Sequence, residues 1–206
     1  MSVSKKEIIQ LLREKPLIAS IRDDAGFAAA LKSDIPVIFL LNSTILTIEE
    51  QCRQLSAAGK QVFVHIDLVE GLAPVPVAVD YIVKVTHPAG VLTTHSSIIK
   101  RAGELGLCGI QRIFMLDGVA LQRAKRNIAK SRPDLIELLP GMMPSIVKRL
   151  TDYSSIPVIA GGLLTQEEDI KNALEAGAVG VSSTNPALWG VEFPASGAGN
   201  ESLENG

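Results

Sequence analysis

The sequence predicts an α/β fold, a compact TIM-like (β/α)8 barrel in a single domain. Short aliphatic runs alternate with amphipathic helical stretches at a spacing of roughly 20 to 25 residues, which is typical of successive βα units. The runs are apolar almost throughout, as expected for parallel strands that helices cover. Eight runs can be counted, and eight parallel strands close this kind of barrel.

The predicted strands share β-branched and aliphatic composition. They are Leu17–Ile21, Val37–Asn42, Gln61–Asp67, Gly90–Thr94, Ile110–Leu116, Leu135–Leu139, Val158–Gly161 and Gly180–Ser183. Helices are predicted over Ile48–Ala58, Pro74–Thr86, Ser96–Leu105, Val119–Lys130, Pro144–Tyr153 and Gln166–Ala176. The segment Pro74–Thr86 fits a strand equally well, but the spacing of the units requires a helix there. Thr165 is predicted to cap the last helix, with Glu168 completing a capping box.

The composition indicates an aliphatic core. The 206 residues are 47% hydrophobic but only 4% aromatic. Residues 1–190 are predicted to form the barrel, and the polar residues 191–206 a disordered tail. No apolar run approaches the roughly 20 residues of a membrane span. Cys52 and Cys108 lack metal-ligand spacing, so we predict no metal site and expect reduced thiols of a cytoplasmic protein.

Charge is distributed unevenly along the chain. The net charge of −2 gives no global attraction to nucleic acids or membranes. The stretch from Ile98 to Leu150 nevertheless carries ten Lys or Arg residues and four acidic ones. The candidates for contacts with RNA phosphates, on two predicted helices, are Arg123, Lys125, Arg126, Lys130, Lys148 and Arg149. A merely solvated helix face would have the same composition.

Polar residues gather at the C-terminal ends of the predicted strands, where barrels of this class place their ligands. They are Arg22, Asn42, His65, Asp67, Thr93, Thr94, Asp117 and Glu137. His65 and Asp67 are two residues apart and are therefore predicted to share one face of a strand. Simpler interpretations stay open, because Glu137 could form a structural ion pair with Arg112 or Arg22, and His65 could hydrogen-bond to a neighbouring strand.

The last two predicted strands end in residues suited to a phosphate. Gly161 and Gly162 let the backbone approach an anion closely, and Ser183 and Thr184 add hydroxyl groups. A helix predicted to begin just after Ser183 would add the partial positive charge of its N-terminus. The glycines could also form only a tight turn, and the hydroxyls only helix caps. We predict a site for a small phosphorylated ligand here.

Seven motifs follow one another between Pro16 and Trp189. They are PLIASIR from Pro16, HIDLVEGL from His65, PAGVLTT from Pro88, QRIFMLD from Gln111, IELLPGMMP from Ile136, IAGGL from Ile159 and VSSTNPALW from Val181. With these motifs the chain resembles the glycerol uptake operon antiterminator family, the glycerol-3-phosphate-responsive antiterminators. It departs from the family pattern in the order of Ser183 and Thr184, and at His95, where Lys or Arg is common.

The resemblance implies a bacterial cytoplasmic regulator with no catalytic residues, metal or cofactor. Glycerol 3-phosphate would be its effector, and the protein with this ligand bound would act on leader mRNA of glycerol uptake and catabolism genes. The protein could be a monomer or a homo-oligomer. The residues expected to hold the phosphate are Gly161, Gly162, Ser183 and Thr184. Those expected to face the glycerol moiety are Arg22, His65, Asp67 and Glu137.

A second class of function fits the same rim. His65, Asp67 and Glu137 could supply general acid and base groups to a TIM-barrel enzyme, of isomerase, lyase or phosphodiesterase type, that acts on a small phosphorylated substrate. Turnover of phosphorylated trioses, pentoses or glycerol phosphodiesters would distinguish such an enzyme from a regulator. The regulator is the favoured interpretation, with ligand binding expected to order the rim loops and shift the population of an RNA-competent form.

Overall fold

The computed structural model describes residues 3–193, which form a closed barrel of eight parallel strands. The strands are β1 (Leu17–Ile21), β2 (Val37–Leu40), β3 (Gln61–His65), β4 (Gly90–Thr93), β5 (Cys108–Phe114), β6 (Leu135–Leu139), β7 (Val158–Gly161) and β8 (Gly180–Ser183). Strands that are consecutive in sequence are neighbours in the barrel, and β8 pairs with β1 to close it. The predicted fold class is confirmed.

Eight α-helices surround or flank the barrel within the described residues. They are α1 (Lys5–Glu14), α2 (Asp24–Lys32), α3 (Ile48–Ala57), α4 (Pro76–Thr86), α5 (Ser96–Glu104), α6 (Gly118–Ser131), α7 (Pro144–Tyr153) and α8 (Glu167–Glu175). The ambiguous segment is helical as α4, and Pro76 lies in its first turn, where a missing N–H is harmless. α2 was not among the predicted helices; Asp23 caps it by accepting a hydrogen bond from Gly26 N at 2.7 Å.

Three local predictions were wrong. β3 ends at His65 because Ile66–Leu68 forms a 3₁₀ turn, so Asp67 does not share a strand face with His65. After β8 the chain forms only the 3₁₀ turn Pro186–Leu188, which is too short to supply the helix N-terminus expected after Ser183. The cap of α8 is Gln166, whose N–H donates to Asp169 at 3.0 Å, and not Thr165 with Glu168.

The barrel interior is filled by large side chains. Its inward cluster is Ile18, Val37, Phe39, Phe63, Leu92, Cys108, Ile110, Leu135, Ile159 and Val179, with Ile8 and Leu12 of α1. Phe39 and Phe63 meet edge to face, with ring centroids 5.9 Å apart. Because Ile8 and Leu12 are completely buried in this cluster, α1 closes the N-terminal end of the barrel. The C-terminal ends of the strands lie at the opposite end of the barrel from α1.

The C-terminal segment that the structure describes packs on the outside of the barrel. Phe193 is buried in the outer core, three residues past the predicted domain boundary at 190. The rest of the predicted tail, residues 194–206, lies outside the described residues. Within residues 3–193, no helix is long and apolar enough to cross a membrane. Cys52 and Cys108 are buried free thiols, and burial raises the pKa of each to about 12.

Candidate functional site

The inward face of the barrel changes from apolar to polar at its C-terminal end. Side chains alternate along a strand, so the residue two positions after an inward aliphatic or aromatic residue also points inward. The polar residues at such positions, all at least nine-tenths buried by their side chains, are Ser20, His65, Arg112, Glu137 and Ser182. They form a polar cluster at this end of the barrel, termed the polar chamber, which rests on the aliphatic layers below.

Glu137 is the centre of the polar chamber. It is 1% exposed, and its Oε2 accepts a hydrogen bond from Arg112 Nε at 2.6 Å. Its Oε1 accepts a hydrogen bond from Ser182 Oγ at 2.7 Å. The pairing of β5 with β6 places Arg112 directly opposite Glu137, so Arg112, and not Arg22, is the ion-pair partner. The terminal Nη groups of Arg112 have no hydrogen-bond partner among residues 3–193.

His65 contributes a second unpaired group. Its side chain is 3% exposed, and its buried Nδ1 has no hydrogen-bond partner in the part of the chain that the structure describes. Burial, together with the nearby charge of Arg112, lowers the pKa of His65 to about 4. The ring is therefore neutral at pH 7, and a neutral imidazole offers one donor and one acceptor nitrogen.

Asp67 is held in place by the end of β4. It accepts hydrogen bonds from Thr93 Oγ1, from Thr94 N at 2.8 Å and from Thr94 Oγ1 at 2.6 Å. The ring of His95 lies beside it, with Nδ1 3.4 Å from Asp67 Oδ2. Burial opposes ionisation of Asp67, but the hydrogen bonds from Thr93 and Thr94 outweigh it and lower the pKa of this carboxyl. Asp67 thus fastens the turn after β3 to β4.

Three other predicted rim residues stay outside the chamber. Arg22 and Asn42 are exposed just beyond β1 and β2. Asp117 caps α6, since its carboxylate accepts a hydrogen bond from Ala120 N at 2.7 Å. The rim that the sequence predicted is therefore present, but only part of it points inward.

The ends of β7 and β8 lie side by side, with Gly161 opposite Ser182. A Cβ at Gly161 would lie 2.5 Å from Ser182 Oγ and 2.7 Å from Glu137 Oε1, so any larger residue would displace one of these side chains. Gly162 and Leu163 follow with φ of 74° and 60°, in the left-handed region. The backbone N–H groups of Gly162, Leu163, Leu164 and Thr184 find no acceptor among the described residues. These four N–H groups are termed the amide cup.

The hydroxyl groups of β8 are arranged differently from the prediction. Ser183 faces the surrounding helices: its Oγ contacts Leu164 O at 3.4 Å and accepts a hydrogen bond from Asn185 N at 3.2 Å. Thr184 is exposed. The inward hydroxyl belongs to Ser182, which the sequence interpretation missed. Counting the alternation from the outward Val181 gives the correct face, because residues an even number apart share it.

Comparison with known proteins identifies the family. Residues 17–189 match the family described as glycerol-3-phosphate responsive antiterminator. The chain belongs to this family. A glycerol uptake operon antiterminator regulatory protein from Listeria monocytogenes is 32% identical with a TM-score of 0.83, and the match covers 85% of this chain and 95% of that one. An antiterminator-related protein from Thermotoga maritima is 29% identical with a TM-score of 0.76, covering 86% and 99%.

The comparisons also include a relative from Escherichia coli and more distant barrel enzymes. The uncharacterized protein YgcP of Escherichia coli is 37% identical over 182 residues, covering 88% of this chain and 95% of its own. An orotidine 5'-phosphate decarboxylase from Pyrococcus horikoshii is 19% identical with a TM-score of 0.63, which shows a likeness of fold alone. The named family is thus one of regulators, and barrel enzymes are distant from it.

The basic residues predicted to contact RNA lie on α6 and α7 and belong to the outer surface of the barrel. Lys125 Nζ lies 4.0 Å from the centre of the Tyr153 ring, so the two helices meet along these side chains. The other basic residues of this surface, all exposed, are Arg123, Arg126, Lys130, Lys148 and Arg149. Lys148 pairs with Asp152 at 3.1 Å, a weak surface ion pair that leaves the face positive. These six Lys and Arg residues are termed the basic face.

Proposed function

We propose that this antiterminator-family protein binds glycerol 3-phosphate in its barrel mouth and, when liganded, binds leader mRNA to promote transcription antitermination. Its targets would be genes of glycerol uptake and catabolism in a bacterial cytoplasm. The observation that carries the ligand half of the proposal is the amide cup beside the polar chamber. One feature suits an anion and the other a hydroxylated group, and they adjoin at Gly161 and Ser182.

The amide cup suits the phosphate because it offers four backbone donors without a protein acceptor among the described residues. Successive backbone N–H groups around left-handed residues form concavities that bind anions. Leu163 is a non-glycine residue at φ 60°, a conformation that costs about 1–2 kcal/mol and is found at ligand clamps. Thr184 is exposed at the edge of the cup, and Ser183 supports the cup from the helix side.

The polar chamber suits the glycerol end. Glu137 retains acceptor capacity beyond its two hydrogen bonds, and His65 has an unpaired nitrogen. A hydroxyl can donate to one and accept from the other. We propose Asp67 as an indirect contributor, which positions the β3 end, and Arg22 as a flexible cation outside the chamber.

The basic face suits the RNA backbone. Binding through phosphates releases counterions, so the slope of log K against log salt is about −0.7 for each contacted phosphate of a single strand. Ligand binding is proposed to order the loops after β7 and β8 and to favour an RNA-competent form, in which a second copy of the chain could take part. Coupling of this kind requires RNA affinity to depend on ligand.

The test is leader-RNA binding with and without glycerol 3-phosphate at several salt concentrations. Substituting Arg123, Arg126 and Lys130 with Gln should reduce the salt slope by about 2. A matched control replaces the exposed Lys6, Lys84 and Lys171 with Gln and should leave the slope unchanged. An RNA affinity that changes neither with glycerol 3-phosphate nor with salt concentration would refute the proposal.

We also infer that the protein acts without catalysis. The support is that the chain belongs to a family described as antiterminators. In addition, both carboxylates of the barrel mouth are held by protein groups: Glu137 by Arg112 and Ser182, and Asp67 by Thr93 and Thr94. Incubation with phosphorylated trioses, pentoses and glycerol phosphodiesters should give no turnover, and measurable turnover would restore the enzyme alternative.

A further inference from the structure

Arg112 is a buried cation with donors that the protein leaves unused. Its side chain is 9% exposed and uses Nε to bind Glu137, while its Nη groups have no partner within residues 3–193. Such donors favour any ligand atom that can accept from them. The nearby His65 Nδ1 is a fully buried atom without a partner in the part of the chain that the structure describes. Two independent unpaired groups therefore point to a bound oxygen in the polar chamber.

The charges of the chamber restrict what that oxygen can belong to. The positive charge of Arg112 is matched by Glu137, and His65 is neutral at pH 7. A ligand carboxylate would bring a second negative charge close to Glu137 with no second cation to match it, and unmatched buried charge is costly. A hydroxyl brings no charge, accepts from Arg112, and donates to Glu137 or His65.

We propose that Arg112, Glu137 and His65 form a specificity subsite that reads a ligand hydroxyl and rejects a carboxylate at the same position. The subsite would select phosphate monoesters of polyols over phosphorylated hydroxy acids. This inference rests on the proposed function in one respect, namely that the phosphate occupies the amide cup. Arg112, which the sequence suggested only as an ion-pair partner, then becomes a ligand-binding residue.

Two probes that differ at one carbon test the subsite. Glycerol 3-phosphate and 3-phosphoglycerate share the phosphate and the central hydroxyl, but the second carries a carboxylate in place of the terminal CH₂OH. Calorimetric titration of the full chain should show at least tenfold tighter binding of glycerol 3-phosphate. Glu137→Gln keeps the shape and removes the charge, so the preference should fall by at least tenfold. Glu70→Gln, at an exposed rim carboxylate, should keep the wild-type preference.

A second variant guards against a folding defect in Glu137→Gln, and circular dichroism checks both. Arg112→Lys keeps the charge but loses the guanidinium fork. Its affinity for glycerol 3-phosphate should be at least tenfold weaker than that of the wild type. Its affinity for inorganic phosphate, which would bind in the amide cup, should stay within twofold of the wild-type value.

The outcomes separate the two proposals. Equal wild-type affinity for both probes, or an unchanged preference in Glu137→Gln, overturns the subsite while the effector proposal stands. Wild-type protein that binds neither probe overturns both. Unaltered binding of glycerol 3-phosphate by Arg112→Lys also overturns the subsite.

Discussion

Replacing Gly161 by Ala tests the closeness of the two last strands to the buried carboxylate. The new Cβ would lie 2.5 Å from Ser182 Oγ and 2.7 Å from Glu137 Oε1. Carbon and oxygen do not approach so closely, so one or both side chains must move. Such a movement breaks or lengthens the 2.7 Å hydrogen bond between Ser182 and Glu137.

The magnitude follows from these contacts. Overpacking of this size costs about 1–3 kcal/mol, and a hydrogen bond to a buried charged group contributes about 1.5–3 kcal/mol. Ala restricts the unfolded chain, which offsets about 0.4–1 kcal/mol. We expect Gly161→Ala to lower the free energy of unfolding by about 2–4 kcal/mol. The melting temperature should fall by about 4–16 °C for a chain of this length.

The assay is urea unfolding followed by circular dichroism. Gly103→Ala is the matched control, because Gly103 lies within α5 with no heavy atom within 4 Å of an added Cβ. Gly103→Ala should raise the free energy of unfolding by about 0.5–1 kcal/mol. In the double variant Gly161→Ala/Ser182→Ala, the loss should be smaller than the sum of the single losses, since one clashing atom is gone. Wild-type stability of Gly161→Ala would refute the packing argument.

Three further predictions concern the buried polar groups. Arg112→Met leaves Glu137 unpaired and should lower the free energy of unfolding in urea by about 3–5 kcal/mol. The double variant Arg112→Met/Glu137→Met should recover most of this loss, and an equal loss in both variants would contradict the pairing. Burial lowers the pKa of His65 from 6.5 to about 4, so the unfolded state binds more protons between these values. Stability is complete above pH 6.5 and falls by up to about 3 kcal/mol toward pH 4. His65→Gln should remove this pH dependence of the free energy of unfolding. An unchanged dependence on pH would mean that other groups cause it. Asp67→Asn replaces one carboxylate oxygen, which accepts from Thr94, with an NH₂ group that can only donate. The free energy of unfolding at pH 7 should fall by about 1–3 kcal/mol, and an unchanged value would show that the contact does not stabilise the protein.

The strands were predictable because apolar runs are bounded by Pro and Gly. Leu17–Ile21, Leu135–Leu139 and Val158–Gly161 agree with the structure residue for residue. The 3₁₀ turn after His65 was not predictable, because it depends on hydrogen bonds that Asp67 accepts from a different strand. Local sequence does not contain that tertiary contact.

The candidate site was predictable in position but not in orientation. The glycine pair and the acidic residue of β6 were found, because barrel ligands collect at one end of the strands. Ser183 and Thr184 were predicted to hold the phosphate, whereas the hydroxyl that points into the barrel is that of Ser182, because a shift of one residue exchanges the two faces of a strand. Arg112 was considered only as a partner of Glu137, because its unused nitrogens become visible only when every neighbour is in place.

The pairing of β1 with β8 has a consequence for synthesis of the protein. Leu17 lies opposite Val181, so the two ends of the barrel sequence meet along one seam. Translation releases the first strand long before the last, and non-local pairing of this kind makes folding slow. The nascent chain therefore carries an open edge at β1 until nearly all of it has left the ribosome, and this edge is where a chaperone would have the longest opportunity to bind.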